Sequence, residues 1–219
     1  MYFIFHPISF LNHLIARLFT DQITFFISII LFFVIAFSYK NSFWQRLDKR
    51  VFDWVLNSKD GFLRHRANDF AIFGNAVFHI LFSIVLSLIF LVAKHKFSIV
   101  FSILFVLIFS WGLNRLLKLI FRRTRPEQLS SDVKKRLSYC FPSGHVMASI
   151  PIYFFCAIIL QGLISFLPWY LIALIISFFV IMSRIYLNHH YFTDVLAGIA
   201  CGIFCLNISI WVYFFIGLV

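Results

Sequence analysis

Long apolar runs constrain this chain more than any other feature of its sequence. A membrane-spanning helix needs about 20 mostly apolar residues, and six runs approach that length. A soluble domain is about half apolar and a quarter charged, whereas this chain is 62% hydrophobic and 12% charged, with 32 phenylalanines. We therefore predict an all-α, polytopic membrane protein rather than a soluble bundle. Its six predicted transmembrane helices are residues 23–39, 70–93, 97–120, 145–163, 169–187 and 195–217.

The start of the chain predicts an anchor that is retained. The first span is the shortest, and it could begin near Ile15 if Arg17 and Asp21 lie at the membrane interface. Residues 1–10 lack the basic segment and small-residue cleavage site of a signal peptide. No linker or repeat divides the sequence, so we expect one membrane-embedded domain over residues 1–219.

Between the first two spans, residues 43–56 have the pattern of an amphipathic helix. Such a helix can lie on the bilayer with its tryptophans at headgroup depth and its basic residues near anionic lipid. It can equally be a connector that covers the end of the bundle, and the two roles are compatible. The apolar arc is Phe43, Trp44, Leu47, Val51, Trp54 and Val55, and the polar arc is Arg46, Lys49, Arg50 and Asp53.

A basic stripe closes the third span. Three of its residues recur at helical spacing and share one face: Arg115, Lys118 and Arg122. Pro126 turns the chain, so the guanidinium of Arg125 can swing back over Lys118. Two cations that converge on one point repel each other unless an anion lies between them. Phosphate fits this position, because a guanidinium binds two of its oxygens and an ammonium binds as a point charge. For Arg122 and Arg123, snorkelling to lipid headgroups is the favoured interpretation.

The second motif, Pro142, Ser143, Gly144 and His145, precedes the fourth span. Ser143 is a good helix cap, and the free N–H groups at a helix start are a common anion site. Gly144 lets the backbone approach a phosphate closely. His145 lies at the rim, where it can protonate a leaving oxygen. Taken alone, a Ser-Gly pair before a helix is more often a routine cap.

The third motif pairs a histidine with a carboxylate. His190 and Asp194 are four residues apart, which on a helix leaves them nearly on one face. His189 is five residues from Asp194 and points elsewhere, so spacing favours His190. A carboxylate on one ring nitrogen fixes the tautomer and leaves the other nitrogen free to attack phosphorus. Arg184 can close a phosphate cage, with Ser183 supporting it.

In series, from Lys118 to Asp194, these motifs resemble the signature of the type 2 phosphatidic acid phosphatase superfamily. The resemblance implies that His190 becomes a phosphohistidine oriented by Asp194, and that His145 protonates the leaving alkoxide and then activates water. It implies phosphate binding by Lys118, Arg125, Ser143, Gly144 and Arg184. No metal or other cofactor is implied, and the 8 acidic residues are too scattered for a two-metal site.

The resemblance also implies an integral-membrane phosphatase acting on a lipid phosphomonoester or pyrophosphate at headgroup depth. The candidate substrates are phosphatidylglycerophosphate, phosphatidic acid, lipid A phosphate and undecaprenyl pyrophosphate. Gly144 mildly disfavours the last, because many such members carry Asp there. The alternatives are a lipid phosphotransferase, and a non-catalytic lipid binder or transporter. The expected partners are the bilayer and a lipid phosphate, with no nucleic acid.

Charge and family resemblance give opposite orientations in the membrane. The net charge is +11, and basic residues concentrate in residues 40–69 and 121–142, on the same side as the motifs. The positive-inside rule places that side in the cytoplasm. The resemblance implies a bacterial inner-membrane protein with its active site facing the periplasm, which we adopt as the expectation.

The cysteines predict neither a disulfide framework nor a metal site. Three of them, Cys156, Cys201 and Cys205, lie in predicted spans. Cys140 lies alone on a polar loop, where we expect an impermeant thiol reagent to reach it.

Overall fold

The computed structural model describes residues 22–57, 61–92, 97–126, 139–164 and 166–218. Within these ranges the chain forms α-helices and a short 3-10 turn at Ile72–Gly74, with no strand. Residues 1–10 and the possible early start near Ile15 lie outside them. The helices are α1 (Gln22–Ser38), α2 (Ser42–Asn57), α3 (Gly61–Ala71), α4 (Ala76–Val92), α5 (Phe97–Phe121), α6 (Gly144–Leu163), α7 (Trp169–Tyr186) and α8 (Phe192–Leu218).

The all-α, polytopic membrane fold is confirmed. By length and composition, α5 to α8 can each cross a bilayer. Two further pairs qualify when each is counted as a bent span, which raises the number from 4 to as many as 6. One pair is α1 with α2, bent by 93°, and the other joins the segment His65–Gly74 to α4, bent by 50°.

The predicted helix over residues 70–93 is wrong at its start. Its first residues belong to α3 and to the 3-10 turn, and α4 begins only at Ala76. Asn75 separates the two, with an extended backbone and a side-chain oxygen that accepts the N–H of Val77 at 3.0 Å. This is how asparagine caps a helix start. Hydropathy cannot register such a cap, because the residues on both sides are equally apolar.

Helix α6 forms the centre of the bundle, and α5, α7 and α8 pack against it. Glycines bring α8 close to α6: a Cβ on Gly202 would lie 3.0 Å from Cβ of Ile150. The outer faces of the helices carry large apolar side chains, such as Phe37 and Val92, which are 79% and 83% exposed. In a bilayer these faces contact lipid, whereas the core excludes it.

The predicted amphipathic segment is helix α2, which packs on α7 and α8. Phe43 and Trp54 remain 61% and 53% exposed, as expected for a helix at the membrane interface. Asp48 is nevertheless only 5% exposed. Helix α2 therefore presents a carboxylate to the bundle, which neither arc of the sequence pattern indicated.

Candidate functional site

The three motifs meet at one end of the bundle, where four helix ends face the same side. Lys118 lies in the last turn of α5 and Arg184 in the last turn of α7. Gly144 begins α6, and Asp194 lies in the first turn of α8. Their charges lie within electrostatic range: Lys118 interacts with both Arg125 and Asp194. Sequentially distant residues thus form one compact polar site.

Backbone hydrogen bonds join the second motif to the third. The N–H of Ser143 donates to the carbonyl of Asp194 at 3.0 Å. Ser143 precedes α6 in an extended conformation, but its hydroxyl makes no capping bond, so the capping role predicted for that side chain is wrong. Instead its Oγ is buried with no partner among the described residues. A buried hydroxyl without a partner is costly, so it suits a ligand oxygen.

Asn114 on α5 braces this turn, although it lies outside the three sequence motifs. Its amide nitrogen lies 3.2 Å from the carbonyl of Pro142. A Cβ on Gly144 would lie 2.7 Å from the Asn114 side-chain oxygen, so a larger residue at this position would displace the Asn114 side chain. The available signal was an amide four residues before Lys118, within a mostly apolar helix.

His145 packs against the 3-10 turn that interrupts the second span. A Cβ on Gly74 would lie 2.9 Å from Cβ and Cδ2 of His145, so only glycine lets the turn approach this closely. Within electrostatic range of the imidazole are Arg184, His190 and Lys118. The broken helix therefore holds His145 at the polar site.

His190 and Asp194 are brought together, but not by the predicted geometry. Helix α8 begins at Phe192, so His190 lies in the preceding turn and the helical-face argument is wrong. Nδ1 of His190 is still 3.5 Å from Oδ2 of Asp194. That distance is too long for a well-formed hydrogen bond. The N–H of Tyr191 donates to the same oxygen at 3.1 Å.

Burial sets the protonation of the histidine. It lowers the pKa of His190 to about 4, against a smaller raising effect of Asp194. The ring is therefore neutral at physiological pH and keeps a lone pair. The neighbouring residue, His189, contributes its backbone: its carbonyl accepts a hydrogen bond from Nη1 of Arg125 at 3.1 Å. This bond places the Arg125 guanidinium beside the turn that carries His190.

The Arg125 guanidinium and the Lys118 ammonium lie within electrostatic range of this histidine, and the Arg184 guanidinium lies within range of Arg125. Burial lowers the pKa of Arg125 from its usual value, partly offset by Cys140 and Asp194. Arg184 is 4% exposed; its Nε lies 3.1 Å from Oγ of Ser183, and its Nη2 is buried with no partner among the described residues. Such an arrangement suits an anion such as phosphate, which supplies several acceptor oxygens.

Arg123 corrects a prediction, because it does not snorkel to lipid. Its Nη1 lies 2.6 Å from Oδ1 of Asp194, and its Nη2 lies 2.8 Å from Oδ2 of Asp48. Helix α5 ends at Phe121, and Arg122 takes a left-handed conformation with a φ of 47°, which takes Arg122 out of the helical stripe. Arg122 stays exposed, while Arg123 turns into the protein.

Cys140 is also not where the sequence indicated. It is fully buried, with its backbone N–H donating to the carbonyl of Arg123 at 2.9 Å and its thiol donating to that of Thr124 at 3.1 Å. Burial raises its pKa well above the ordinary range, and Asp194 adds to the effect. The expected labelling by a thiol reagent is therefore wrong. The four cysteines are free and buried.

A cavity of about 610 Å³ opens beside the cage, between α2 and residues 123–126. Lys40 and Lys49 contribute cations to its wall, and Tyr191 contributes an aromatic ring. Arg125 lines it as well, which connects the cavity to the phosphate-binding candidates. Among the described residues, no group of three or more His, Cys, Asp or Glu side chains has an arrangement that could hold a metal.

Comparison with known proteins defines the class. Residues 97–217 match the family model described as the PAP2 superfamily. Since the match covers more than half of the 219 residues, this chain belongs to the PAP2 superfamily.

Two individual proteins are similar to the chain. It is 35% identical over 99 residues to phosphatidylglycerophosphatase B of Bacillus subtilis (strain 168). The aligned region covers 42% of this chain and 46% of the relative. The matched part therefore spans less than half of that relative's length. The fold also resembles the crystal structure of a transmembrane PAP2 type phosphatidylglycerolphosphate phosphatase from B. subtilis. The TM-score is 0.77 at 24% identity, covering 86% of this chain and 94% of that one.

Proposed function

We propose that this protein is an integral-membrane lipid phosphatase that works through a phosphohistidine on His190. The observation that carries the proposal is the placement of a neutral, buried imidazole beside Asp194 and within electrostatic range of Lys118 and Arg125. A nucleophile next to an orienting carboxylate, facing an anion site, is the arrangement that phosphoryl transfer needs.

In the first step the lone pair on Nε2 of His190 attacks phosphorus. The N–P bond forms as the P–O bond to the lipid breaks, and His145 supplies the proton that the departing alkoxide takes up. The ring of His190 becomes positively charged. The Asp194 carboxylate stabilises that charge by accepting a hydrogen bond from Nδ1–H of His190. Because the carboxylate is fully buried, little water screens this interaction.

In the second step water releases the phosphate. His145, now neutral, accepts a proton from water as the water oxygen attacks phosphorus and the N–P bond breaks. The electron pair returns to Nε2, which regenerates the free imidazole. One lipid phosphate and one water thus give one lipid alcohol and one inorganic phosphate.

The surrounding groups would stabilise charge on the phosphoryl oxygens. Guanidinium groups hold oxygens in pairs, and an ammonium adds a point charge. The free hydroxyl of Ser143 and the N–H groups that begin α6 complete the cage. The proposed phosphate ligands are Lys118, Arg125, Ser143, Gly144 and Arg184. No metal enters either step.

We infer a phosphatidylglycerophosphate-type substrate. The two similar B. subtilis proteins carry that substrate in their names. The cavity beside Arg125 gives a bulky polar headgroup room next to the cage. The site lies at the end of the helical bundle, which suits a lipid whose tails stay in the bilayer.

We further infer that the protein resides in a bacterial inner membrane with this site on the periplasmic side. The similarity to a transmembrane bacterial phosphatase supports the membrane assignment. The basic loops argue against the orientation, but Arg123 forms ion pairs with two buried carboxylates and Arg125 contacts the turn that carries His190. Charges with such roles are weak signals of topology.

Phosphate release in detergent tests the function. The purified protein should release inorganic phosphate from phosphatidylglycerophosphate faster than from phosphatidic acid, lipid A phosphate or undecaprenyl pyrophosphate. The matched variants are His190→Gln, which should be inactive, and His189→Gln, which should keep most activity. Consumption of lipid phosphate with formation of a new phosphorylated lipid, and without free phosphate, would instead identify a phosphotransferase.

A further inference from the structure

Helix α2 is linked to the proposed nucleophile, His190, through Arg123, whose guanidinium pairs with a carboxylate of α2 and with Asp194. Arg123 contacts Asp48 of α2 at 2.8 Å and Asp194 of α8 at 2.6 Å. Asp48 is 5% exposed and Asp194 is 0% exposed. Two buried carboxylates are unfavourable unless a cation compensates them. The interfacial helix, Arg123 and Asp194 therefore form one electrostatic unit.

Thr193 fixes the first carboxylate of this unit. Its backbone N–H donates to Oδ1 of Asp48, and its hydroxyl donates to Oδ2, each at 2.8 Å. That N–H belongs to the first turn of α8, where backbone donors lack partners within the helix. Asp48 thus caps α8 from another helix, next to the residue that faces His190.

Two tyrosine rings fix the guanidinium. The Arg123 side chain lies over Tyr191 at 4.0 Å and over Tyr39 at 4.6 Å from the ring centres. A planar cation between aromatic faces is held by cation–π attraction. Held between the two rings, the guanidinium directs Nη1 at Oδ1 of Asp194 and Nη2 at Asp48. A lysine cannot make both contacts, because its ammonium lacks the planar, forked geometry of a guanidinium.

We propose that Asp48 and Arg123 are positioning residues for His190: they hold the Asp194 carboxylate so that its second oxygen faces Nδ1 of the imidazole and keeps the proton there. This inference rests on the proposed function, since it matters for turnover only if His190 is the nucleophile. Neither residue is catalytic, because both act through Asp194.

The order of charges explains why both residues are needed. Asp48 is negative, Arg123 positive and Asp194 negative, and His190 becomes positive when it is phosphorylated. Asp48 holds one arm of the guanidinium, so Arg123 engages only Oδ1 of Asp194. Without that charge the fork is free to take both oxygens of Asp194, including the one that faces His190, because a bidentate pair is favourable.

Kinetics of two conservative variants give the first arm of the test. In Asp48→Asn and Arg123→Lys, kcat should fall by about tenfold or more. This is the usual loss when a residue that orients a functional side chain is replaced. KM should change less than kcat, because the polar atoms of both side chains, which line the cavity, are already paired with each other, with Asp194 and with Thr193. Arg122→Gln is the matched control, since it removes the neighbouring exposed cation, and it should behave as wild type.

The tautomer of His190 gives the second arm, and a merely structural role would not move it. Nitrogen-15 NMR of histidine-labelled protein, with the His190 signals identified through His190→Gln, should show the proton on Nδ1 in wild type and in Arg122→Gln. In folded Asp48→Asn and Arg123→Lys it should shift toward Nε2. Thermal unfolding in detergent identifies which variants are folded, and only folded variants count in the test.

The proposal is overturned if either folded variant keeps the wild-type kcat, or if the tautomer is unchanged in it. A change in KM alone would also overturn it, because that pattern indicates substrate contact. If the wild-type protein releases phosphate from no lipid, the proposed function fails. The tautomer arm still tests the coupling of Asp48 and Arg123 to His190, since it needs no turnover.

Discussion

Nδ1 of His190 lies 3.5 Å from Oδ2 of Asp194. The carboxylate is held by Arg123 and by the N–H of Tyr191 rather than by the histidine. Hydrogen bonds in active sites are often long until a substrate or transition-state analogue binds. The two residues are thus aligned but not yet in tight contact.

A bound transition-state analogue should close this gap. Charge on His190 rises when its other nitrogen bonds to vanadate, so Nδ1–H should approach Asp194 to about 2.8 Å, a charge-assisted distance. A crystal or cryo-EM structure of the vanadate complex measures it directly. If vanadate occupies the cage and the distance stays at 3.5 Å or more, Asp194 does not stabilise the phosphorylated ring.

Turnover should not depend on a divalent metal. The proposed charge stabilisation comes from guanidinium, ammonium and N–H groups, which chelators do not remove. Phosphate release should therefore persist in EDTA and be inhibited by vanadate. Activity that disappears in EDTA and returns with Mg²⁺ would contradict the proposed cage.

The buried histidine should make stability depend on pH. The pKa of His190 is lowered to about 4, whereas an unfolded histidine has a pKa near 6.5. Below pH 6.5 the unfolded chain binds a proton that the folded protein does not, so stability is present above that pH and is lost as the pH falls. The loss is at most about 1.4 kcal/mol per pH unit.

Thermal unfolding of wild type and His190→Gln, between pH 7 and pH 5, isolates this contribution. The wild-type protein should lose more stability than the variant over that interval. Parallel losses in the two proteins would show that His190 titrates normally when folded.

Sidedness needs probes other than Cys140, because that thiol is buried. Ser42 begins α2 on the side of the candidate site and is exposed, whereas Phe166 lies in the turn between α6 and α7 and is 75% exposed. In intact spheroplasts an impermeant thiol reagent should label Ser42→Cys and not Phe166→Cys. The reverse pattern would place the site in the cytoplasm, in agreement with the positive-inside rule.

Apolar length was a reliable guide to the helices of the bundle. The predicted spans 97–120, 145–163 and 169–187 agree closely with α5, α6 and α7, because a lipid-facing helix must be apolar over its whole length. The same signal failed at Asn75, where a local cap breaks an apolar run. Caps depend on one side chain, and hydropathy averages over many.

Within the candidate site, the four-residue spacing correctly predicted that His190 and Asp194 lie together. The argument that they share a helical face was wrong, since His190 lies outside α8. The links from Arg123 to Asp48, and from Asn114 to Pro142, were not predictable from spacing. Each joins residues distant in sequence and depends on how separate helices pack. A single sequence carries no periodicity for such contacts.

In the proposed mechanism the phosphoryl group passes through His190. Rapid quenching under alkaline conditions, after the enzyme is mixed with phosphatidylglycerophosphate labelled in its terminal phosphate, traps this intermediate. We expect an acid-labile label on the peptide that contains His190, present in His189→Gln and absent in His190→Gln. First-turnover phosphate release with no label on that peptide, or continued release by His190→Gln, would contradict it.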